Sequence, residues 1–121
     1  MAHTFFAQKI TIPKNTQQPI LMYSARVNAS RVNTIFIDIP EGWQYTAGLI
    51  ITIGDDITIP SKPAIIINLN ENLFPAITGN NTFFKFHIDR EIHGDPIVAI
   101  YAYNTDTVNN HSCVVTIDFE V

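Results

Sequence analysis

Apolar and polar residues alternate along the last stretch of the chain, and this two-residue period limits the fold more than any other feature. One parity is apolar throughout: Cys113, Val115, Ile117, Phe119 and Val121. Because successive side chains of a strand point to opposite faces, the pattern predicts a strand with one buried face. An apolar run at 97–103 precedes it, separated by the polar loop 104–111. The two runs are predicted to form an antiparallel pair.

Similar short runs, punctuated by Pro, Gly and Asn, recur about every ten residues along the rest of the chain. The predicted strands cover residues 5–12, 20–27, 32–39, 45–53, 57–59, 64–69, 82–92, 97–103 and 113–121. A hairpin turn is predicted at Gly54, Asp55 and Asp56. Such a pattern predicts an all-β fold, an antiparallel β-sandwich that is a single jelly roll of about eight strands. An immunoglobulin-like sandwich is the alternative.

The length of 121 residues predicts one domain, 1–121, with its own apolar core. Residues 1–6 contain two adjacent phenylalanines and no charge, and they are predicted to be a flexible or docking N-terminal arm. Charged residues make up 15% of the chain, against about 25% in a typical soluble domain. A surface so poor in charge indicates either partial coverage by another subunit or a neutral surface rich in Asn and Thr.

The amino-acid composition argues against several classes of partner. The net charge is −4 and Lys and Arg do not cluster, so no nucleic-acid partner is predicted. No apolar run reaches the length of about 18 residues that spans a bilayer, so no membrane insertion is predicted. The first residues lack the basic and apolar regions of a signal peptide. The single cysteine, Cys113, is predicted to be a buried hydrophobic residue, with a reactive thiol as the alternative.

Titratable side chains gather on one parity of the 82–92 strand and just beyond it. They are Lys85, His87, Asp89, Glu91 and His93. Histidine and carboxylate side chains are good metal ligands, but neighbours two apart on a strand point in parallel rather than toward one ion. The pattern therefore favours a solvated strand face over a metal site. Asp55 and Asp56 favour a turn over a calcium site in the same way.

No catalytic residue is predicted, and neither is a metal or a cofactor. The chain lacks the Gly-x-Ser-x-Gly turn of a serine hydrolase and any glycine-rich phosphate loop. His111 and Ser112 are adjacent on a predicted strand, so their side chains face opposite sides. The chain is therefore predicted not to be an enzyme.

Four aromatic residues are the candidate contacts for a ligand or partner: Trp43, Tyr45, Tyr101 and Tyr103. Trp43 and Tyr45 follow the predicted turn 40–42, where an exposed ring can stack on a sugar. The alternative for Trp43 is that it caps an open end of the core. Tyr101 and Tyr103 share one parity, and they are predicted either to cap the core or to meet a partner, because tyrosine suits half-wet positions.

Three segments of the chain resemble a known family. They are Lys-Ile-Thr-Ile-Pro-Lys-Asn-Thr at 9–16, the run from Ile-Phe-Ile-Asp-Ile-Pro-Glu-Gly at 35–42 to Ile-Thr-Ile-Pro at 57–60, and Ala-Ile-Tyr-Ala-Tyr-Asn-Thr-Asp at 99–106. Their order resembles the small single jelly-roll proteins of tailless icosahedral viruses. In those viruses the proteins form the pentameric vertex, or penton, or the base of a vertex spike.

This resemblance implies a structural virion protein without catalytic residues, either a penton or a minor capsid subunit. It implies a homo-oligomeric ring, with a pentamer favoured, that contacts neighbouring capsid proteins and is assembled in the host cytoplasm. A ring needs two different patches on each copy, and the strands at 20–27 and 82–92 are the predicted ones. The alternatives are a carbohydrate- or receptor-binding module, such as a spike head, and a cupin-type enzyme with a metal at His87 and His93.

Overall fold

The structure is a computed structural model that describes residues 3–54, 65–67, 77–92 and 95–121. The described residues form eight strands: β1 (His3–Ile12), β2 (Thr16–Arg26), β3 (Arg31–Ile39), β4 (Ala47–Gly54), β5 (Ile65–Ile67), β6 (Thr82–Glu91), β7 (Ile97–Asn104) and β8 (His111–Glu120). The predicted all-β class is confirmed. The predicted turn residues Asp55 and Asp56, the predicted strand 57–59 and His93 lie outside the described residues. The described part of the chain contains no helix that is long and apolar enough to cross a membrane.

The strands pair in a nested pattern, which identifies the architecture. β1 pairs with β8, β2 with β7, β3 with β6 and β4 with β5, all antiparallel. The chain is thus one long hairpin, and the further pairs β3·β8 and β4·β7 wind it into two sheets. Their strand orders are β1-β8-β3-β6 and β2-β7-β4-β5. Two four-stranded sheets wound in this way form a jelly roll, so that prediction is confirmed over the immunoglobulin-like alternative.

The core lies between the two sheets and is built from the inward parity of each long strand. On β8, the predicted apolar parity is buried from Cys113 to Phe119. Most of the remaining core is isoleucine: Ile10, Ile12, Ile35, Ile37, Ile39, Ile51, Ile53, Ile77, Ile92 and Ile100. β-Branched side chains suit this position because they pack well on a pleated surface.

Cys113 has the buried environment that its strand parity predicted. Burial raises the pKa of its thiol to about 12, and the nearby negative charge of Asp38 adds a smaller increase. The thiolate, which is the reactive form, is therefore almost absent near neutral pH. This confirms the buried hydrophobic residue rather than the reactive thiol.

The predicted pairing of the last two strands is wrong. β7 pairs with β2 and β4 in one sheet, whereas β8 pairs with β1 and β3 in the other. The loop between them therefore crosses from one sheet to the other. Alternation reveals which face of a strand is buried, but both sheets face the same core, so it does not reveal the neighbour of a strand.

The predicted arm at residues 1–6 is replaced by regular structure from His3 onward. β1 pairs with β8 without a register shift, from His3 opposite Glu120 to Ile12 opposite His111. The ring of Phe6 packs against Tyr23, with 5.2 Å between centroids, and contacts the core. Inward burial of one phenylalanine therefore orders this segment as a strand, while Phe5 points outward and is exposed.

The second sheet also carries a small apolar cluster on the side that faces away from the core. Ile50, Ala99 and Tyr101 are buried there together. Thr52 has the same parity on β4 and is buried beside them. Among the described residues its hydroxyl has no hydrogen-bond partner, which is unfavourable for a buried polar group.

We expect Thr52→Val to stabilise the protein. Valine has nearly the same shape and removes the unpaired hydroxyl, so the free energy of unfolding should rise by about 1 kcal/mol. The melting temperature should rise by about 3–6 °C for a chain of this size. Denaturant and thermal unfolding measure both quantities. Thr11→Val, at an exposed position of β1, is the matched control and should change little; a loss of stability in Thr52→Val would contradict the prediction.

Candidate functional site

Four connecting segments meet at one end of the sandwich, which we call the loop end. They are residues 13–15, 40–46, 77–81 and 105–110. Backbone hydrogen bonds join them: Asn15 N–H donates to Asp106 O at 2.7 Å, and Thr105 N–H donates to Thr46 O at 2.9 Å. Because the bonds link different loops, the loop end is one connected surface rather than several independent turns.

The 40–46 loop has an unusual backbone that a side chain from another segment supports. Gln44 and Tyr45 both have left-handed φ angles, 46° and 64°, which are unfavourable for residues other than glycine. The side-chain oxygen of Asn80 accepts hydrogen bonds from Gly42 N–H at 2.8 Å and Gln44 N–H at 3.1 Å. These bonds offset part of the backbone cost and hold the loop in one conformation.

Trp43 lies inside the loop end rather than on its surface. Its side chain is 0% exposed and belongs to the main core cluster. The indole N–H donates to Ser112 O at 2.9 Å, which satisfies its polar atom. Trp43 therefore has the position of a core cap, the alternative to sugar stacking in the sequence analysis.

The other three predicted aromatic contacts occupy different environments. Tyr101 is buried in the outward cluster of the second sheet and is not a surface residue. Tyr45 is 69% exposed at the loop end. Tyr103 is half-buried, and this burial raises the pKa of its hydroxyl. Binding through Tyr45 or Tyr103 stays a prediction.

A pocket of about 280 Å³ lies beside Tyr103. Its lining residues are Gln17, Gln18, Pro19, Tyr103 and Thr105. An irregularity in β2 opens it: β2 advances four residues from Thr16 to Ile20 where β7 advances two, from Asn104 to Ala102. The extra residues leave the ladder, and proline at position 19 suits such a place because it has no N–H to donate.

Gly48 on β4 sets the position of the Tyr103 ring. The two residues are direct cross-strand partners. A Cβ atom at position 48 would lie 2.5 Å from Tyr103 Cε1 and 2.7 Å from its hydroxyl oxygen. The tip of the ring therefore rests over the glycine backbone, in space that any other residue would fill. The absence of a side chain at one position thus shapes one wall of the pocket.

A polar network next to the pocket fixes the 105–110 loop. The carboxylate of Asp106 accepts hydrogen bonds from the N–H groups of Val108, at 2.8 Å, and Asn109, at 3.1 Å. The buried side chain of Asn104 donates to the backbone oxygens of Ile12 and Asn109. Donors to its carboxylate lower the pKa of Asp106 to about 2. Asp106 is therefore ionised over the whole range in which most proteins are stable.

His111 completes this network without forming a catalytic relay. Its Nε2 atom lies 2.9 Å from the Asp106 carboxylate and 3.3 Å from Thr46 Oγ1. An ionised carboxylate only accepts, so Nε2 carries a proton. A Ser-His-Asp type of relay uses both ring nitrogens, one for each partner, whereas here one nitrogen serves both. The hydroxyl of Thr46 also donates to Trp43 O, so the arrangement supports structure rather than nucleophilic chemistry.

The titratable face of β6 has the solvated character that its pattern favoured. Lys85, His87 and Asp89 are exposed, and the alternate residues Phe84 and Phe86 pack against the core. Over the described ranges, no group of three or more His, Cys, Asp or Glu side chains is placed to hold a metal ion.

Sequence reasoning missed the pocket and most of the polar network. Gln17 and Gln18 lie before the predicted second strand, 20–27, whereas the structure includes them in β2. Asn80 has no local pattern that announces a partner in the 40–46 loop. Asp106 does lie in a recognisable local pattern. An aspartate side chain in a loop often accepts hydrogen bonds from the N–H groups two and three residues later, which forms an Asx turn.

We expect Gly48→Ala to destabilise the protein through Tyr103. The new methyl group would displace the tip of the ring, which should lower the free energy of unfolding by about 1–2 kcal/mol. In a protein that already carries Tyr103→Ala, Gly48→Ala should cause no such loss of stability, because the ring that it displaces is absent. Denaturant unfolding of the wild type, both single variants and the double variant forms a double-mutant cycle. Additive effects, with a coupling energy below about 0.5 kcal/mol, would show that the two residues do not interact.

The lowered pKa of Asp106 predicts a pH dependence of stability. Because the pKa is lower in the folded protein than the ordinary value of 3.8, folding favours the ionised form. The stabilisation is complete above about pH 4 and is lost as the pH falls through about 2. Urea unfolding between pH 2 and 5 should therefore show a smaller acid loss in Asp106→Asn than in the wild type. Parallel curves for the two proteins would rule out this assignment.

Comparisons with known proteins describe the fold. No family model matches the chain, and no curated protein matches it. The solved structure of a protein of Bacillus endospore appendages, described as a novel family of disulfide-linked pili, is similar with a TM-score of 0.52 and 10% identity over 99% of this chain and 88% of that one. A chain of infectious bursal disease virus, Gt strain, has a TM-score of 0.43 and 10% identity over 99% of this chain and 31% of that one. At such identity the likeness concerns the β-sandwich fold alone.

Proposed function

We propose that the chain is a structural subunit that assembles with further copies of itself. Two apolar patches at different edges of the sandwich carry the proposal. The β2 patch is the strand edge at which Ile20 and Leu21, on opposite faces of β2, are both exposed, and the exposed Phe5 lies on the adjoining β1 edge. The β6 patch consists of Phe83 and the neighbouring Phe36, whose ring centroids are 6.0 Å apart.

The positions of these patches suit a head-to-tail contact between copies. In the first sheet β1 is one edge strand and β6 is the other, while β2 is the edge strand of the second sheet that adjoins β1. A ring needs two different surfaces on each copy, one for each neighbour. Phe83 is 62% exposed and Leu21 is 41% exposed. Assembly would therefore remove apolar surface of both side chains from contact with water, which is favourable.

The low charge of the chain as a whole favours close packing between copies. The chain carries only 15% charged residues, and interface centres are typically depleted of charge and enriched in aromatic residues. Phe36 and Phe83 also have Lys85 beside them, with its Nζ 5.8 Å from the Phe36 ring centroid. A lysine at this position gives the patch a polar rim, as in known interfaces.

The finer form of the proposal is a capsid vertex protein, a penton, or a minor capsid subunit of a virion. The nested jelly-roll order supports it, since double-sheet jelly rolls are common in viral capsids. In this form the chain forms a pentameric ring, contacts neighbouring capsid proteins and assembles in the host cytoplasm. Its role is to form repeated contacts with identical copies and neighbouring proteins, and it has no catalytic role.

The similar appendage protein also supports assembly from repeated copies, but with a different bond. That protein forms disulfide-linked pili. This chain has one cysteine, and its thiol is buried with its pKa raised to about 12. The assembly proposed for this chain is therefore non-covalent.

Light scattering of the purified protein over a concentration series tests the proposal. We expect a discrete oligomer, with a pentamer for the vertex role; a discrete trimer would favour a spike head instead. Leu21→Asp and Phe83→Asp should each raise the dissociation constant of the oligomer by about a hundredfold or more, because an unpaired carboxylate would be buried in the contact.

Val108→Asp is the matched control for this experiment. Val108 is 71% exposed in the loop between β7 and β8, so the same charge is introduced at an apolar surface residue outside both patches. Its oligomer should have the same mass and affinity as the wild type. A monomer at every concentration in the wild type would contradict self-assembly, and equal weakening by all three variants would contradict the assignment of the patches.

A further inference from the structure

We propose that the pocket beside Tyr103 binds a neutral saccharide residue. The pocket shares no residue with either assembly patch, but Pro19 directly precedes Ile20 of the β2 patch, so the oligomer mass is measured together with binding. The pocket volume of about 280 Å³ lies just below the range of about 300–1,000 Å³ for small-molecule sites. It therefore suits one ring of a glycan rather than an extended ligand.

The pocket offers hydrogen-bonding groups that the protein does not use. Within the described part of the chain, neither the Tyr103 hydroxyl nor the Gln18 amide forms a hydrogen bond. The Gln17 amide donates to Asn15 Oδ1 at 3.0 Å, which leaves its own oxygen free to accept. The Thr105 hydroxyl donates to Thr46 O at 2.8 Å and also retains acceptor capacity. Donors and acceptors thus converge on one small space.

The apolar part of the lining complements the CH groups of a sugar ring. Tyr103 presents an aromatic ring with a polar tip, and Pro19 adds a second apolar ring. The tyrosine is held in place by Gly48, over which its tip rests, and by its position on the central strand β7. Pre-organised side chains lose little conformational freedom on binding, which favours affinity.

The absence of charge from the lining selects the class of ligand. None of the five lining residues is acidic or basic, so the pocket offers no partner for a carboxylate, a phosphate or an amine. A tyrosine hydroxyl is protonated and able to donate at neutral pH, and burial raises the pKa of Tyr103 further. A neutral polyol with one apolar face matches these groups better than any charged metabolite does.

The binding experiment uses the whole chain and a glycan array that contains neutral and sialylated oligosaccharides. Hits are then confirmed by saturation-transfer NMR with the methyl glycosides of glucose, galactose, mannose and N-acetylglucosamine. We expect binding of neutral glycans, with saturation transferred most strongly to the ring protons that contact Tyr103. Tyr103→Ala should weaken the affinity by about tenfold or more, which corresponds to the loss of one aromatic contact and one hydrogen bond.

Glutamine variants keep the test decisive if Tyr103→Ala alters the fold. Gln18→Ala removes a free amide from the exposed part of the pocket and should also weaken binding several-fold. Gln44→Ala is its matched control, because Gln44 is an exposed glutamine at the same loop end but does not line the pocket. Its affinity should equal that of the wild type.

Three outcomes would overturn the proposal. They are no binding of any neutral glycan by folded wild-type protein, a preference for sialylated over neutral glycans, and an unchanged affinity in Gln18→Ala. The oligomer mass of each variant is measured in parallel. A variant that loses glycan binding but keeps its mass separates the pocket from the assembly surfaces.

Discussion

Apolar contact between the inward faces of the two sheets is the interaction on which the other features depend. It places isoleucine side chains from β1, β3, β4, β7 and β8 in one layer, and each buried methylene contributes about 0.8 kcal/mol. The contact fixes which parity of every strand faces inward. It also leaves the strand ends to be closed by loops, and Trp43 closes one of them by placing its whole ring in the core.

The sequence predicted the faces of the strands well and their neighbours poorly. The parity from Cys113 to Phe119 was sufficient to assign the buried face of β8, since burial of alternate side chains is a local property. The pairing of β8 with β1 and β3 is a property of the wound chain, and adjacency in sequence pointed wrongly to β7.

The pocket was unpredictable for a related reason. It depends on two extra residues in β2 opposite Tyr103 and on a glycine in β4, and neither strand alone contains that geometry.

The loop end and the sandwich edges differ in chemistry, and this difference separates two kinds of contact. Polar side chains hold the loop end together: Asn80 and Asn104 form hydrogen bonds to other segments, and Asp106 accepts two within its own loop. Apolar side chains such as Leu21 and Phe83 remain exposed along the edges. In one assembly, the edges can contact neighbouring copies while the loop end stays accessible to solvent. A structural subunit could thus present its pocket outward in many copies, and many weak sites then act as one strong site.

The nested pairing of the strands has a consequence for how the chain reaches its fold. β4 and β5 are the closest pair in sequence, and each further pair extends the same hairpin by one strand on either side. Each step therefore adds only a small loop-closure cost once the previous pair has formed. The structure should close from its middle outward, slowly, because nearly all of its contacts are distant in sequence. The pair of β1 with β8 would close last and open first. A neighbouring copy that covers Phe5 on β1 would hold this outermost pair closed, so the final step of folding and the first step of assembly would stabilise each other.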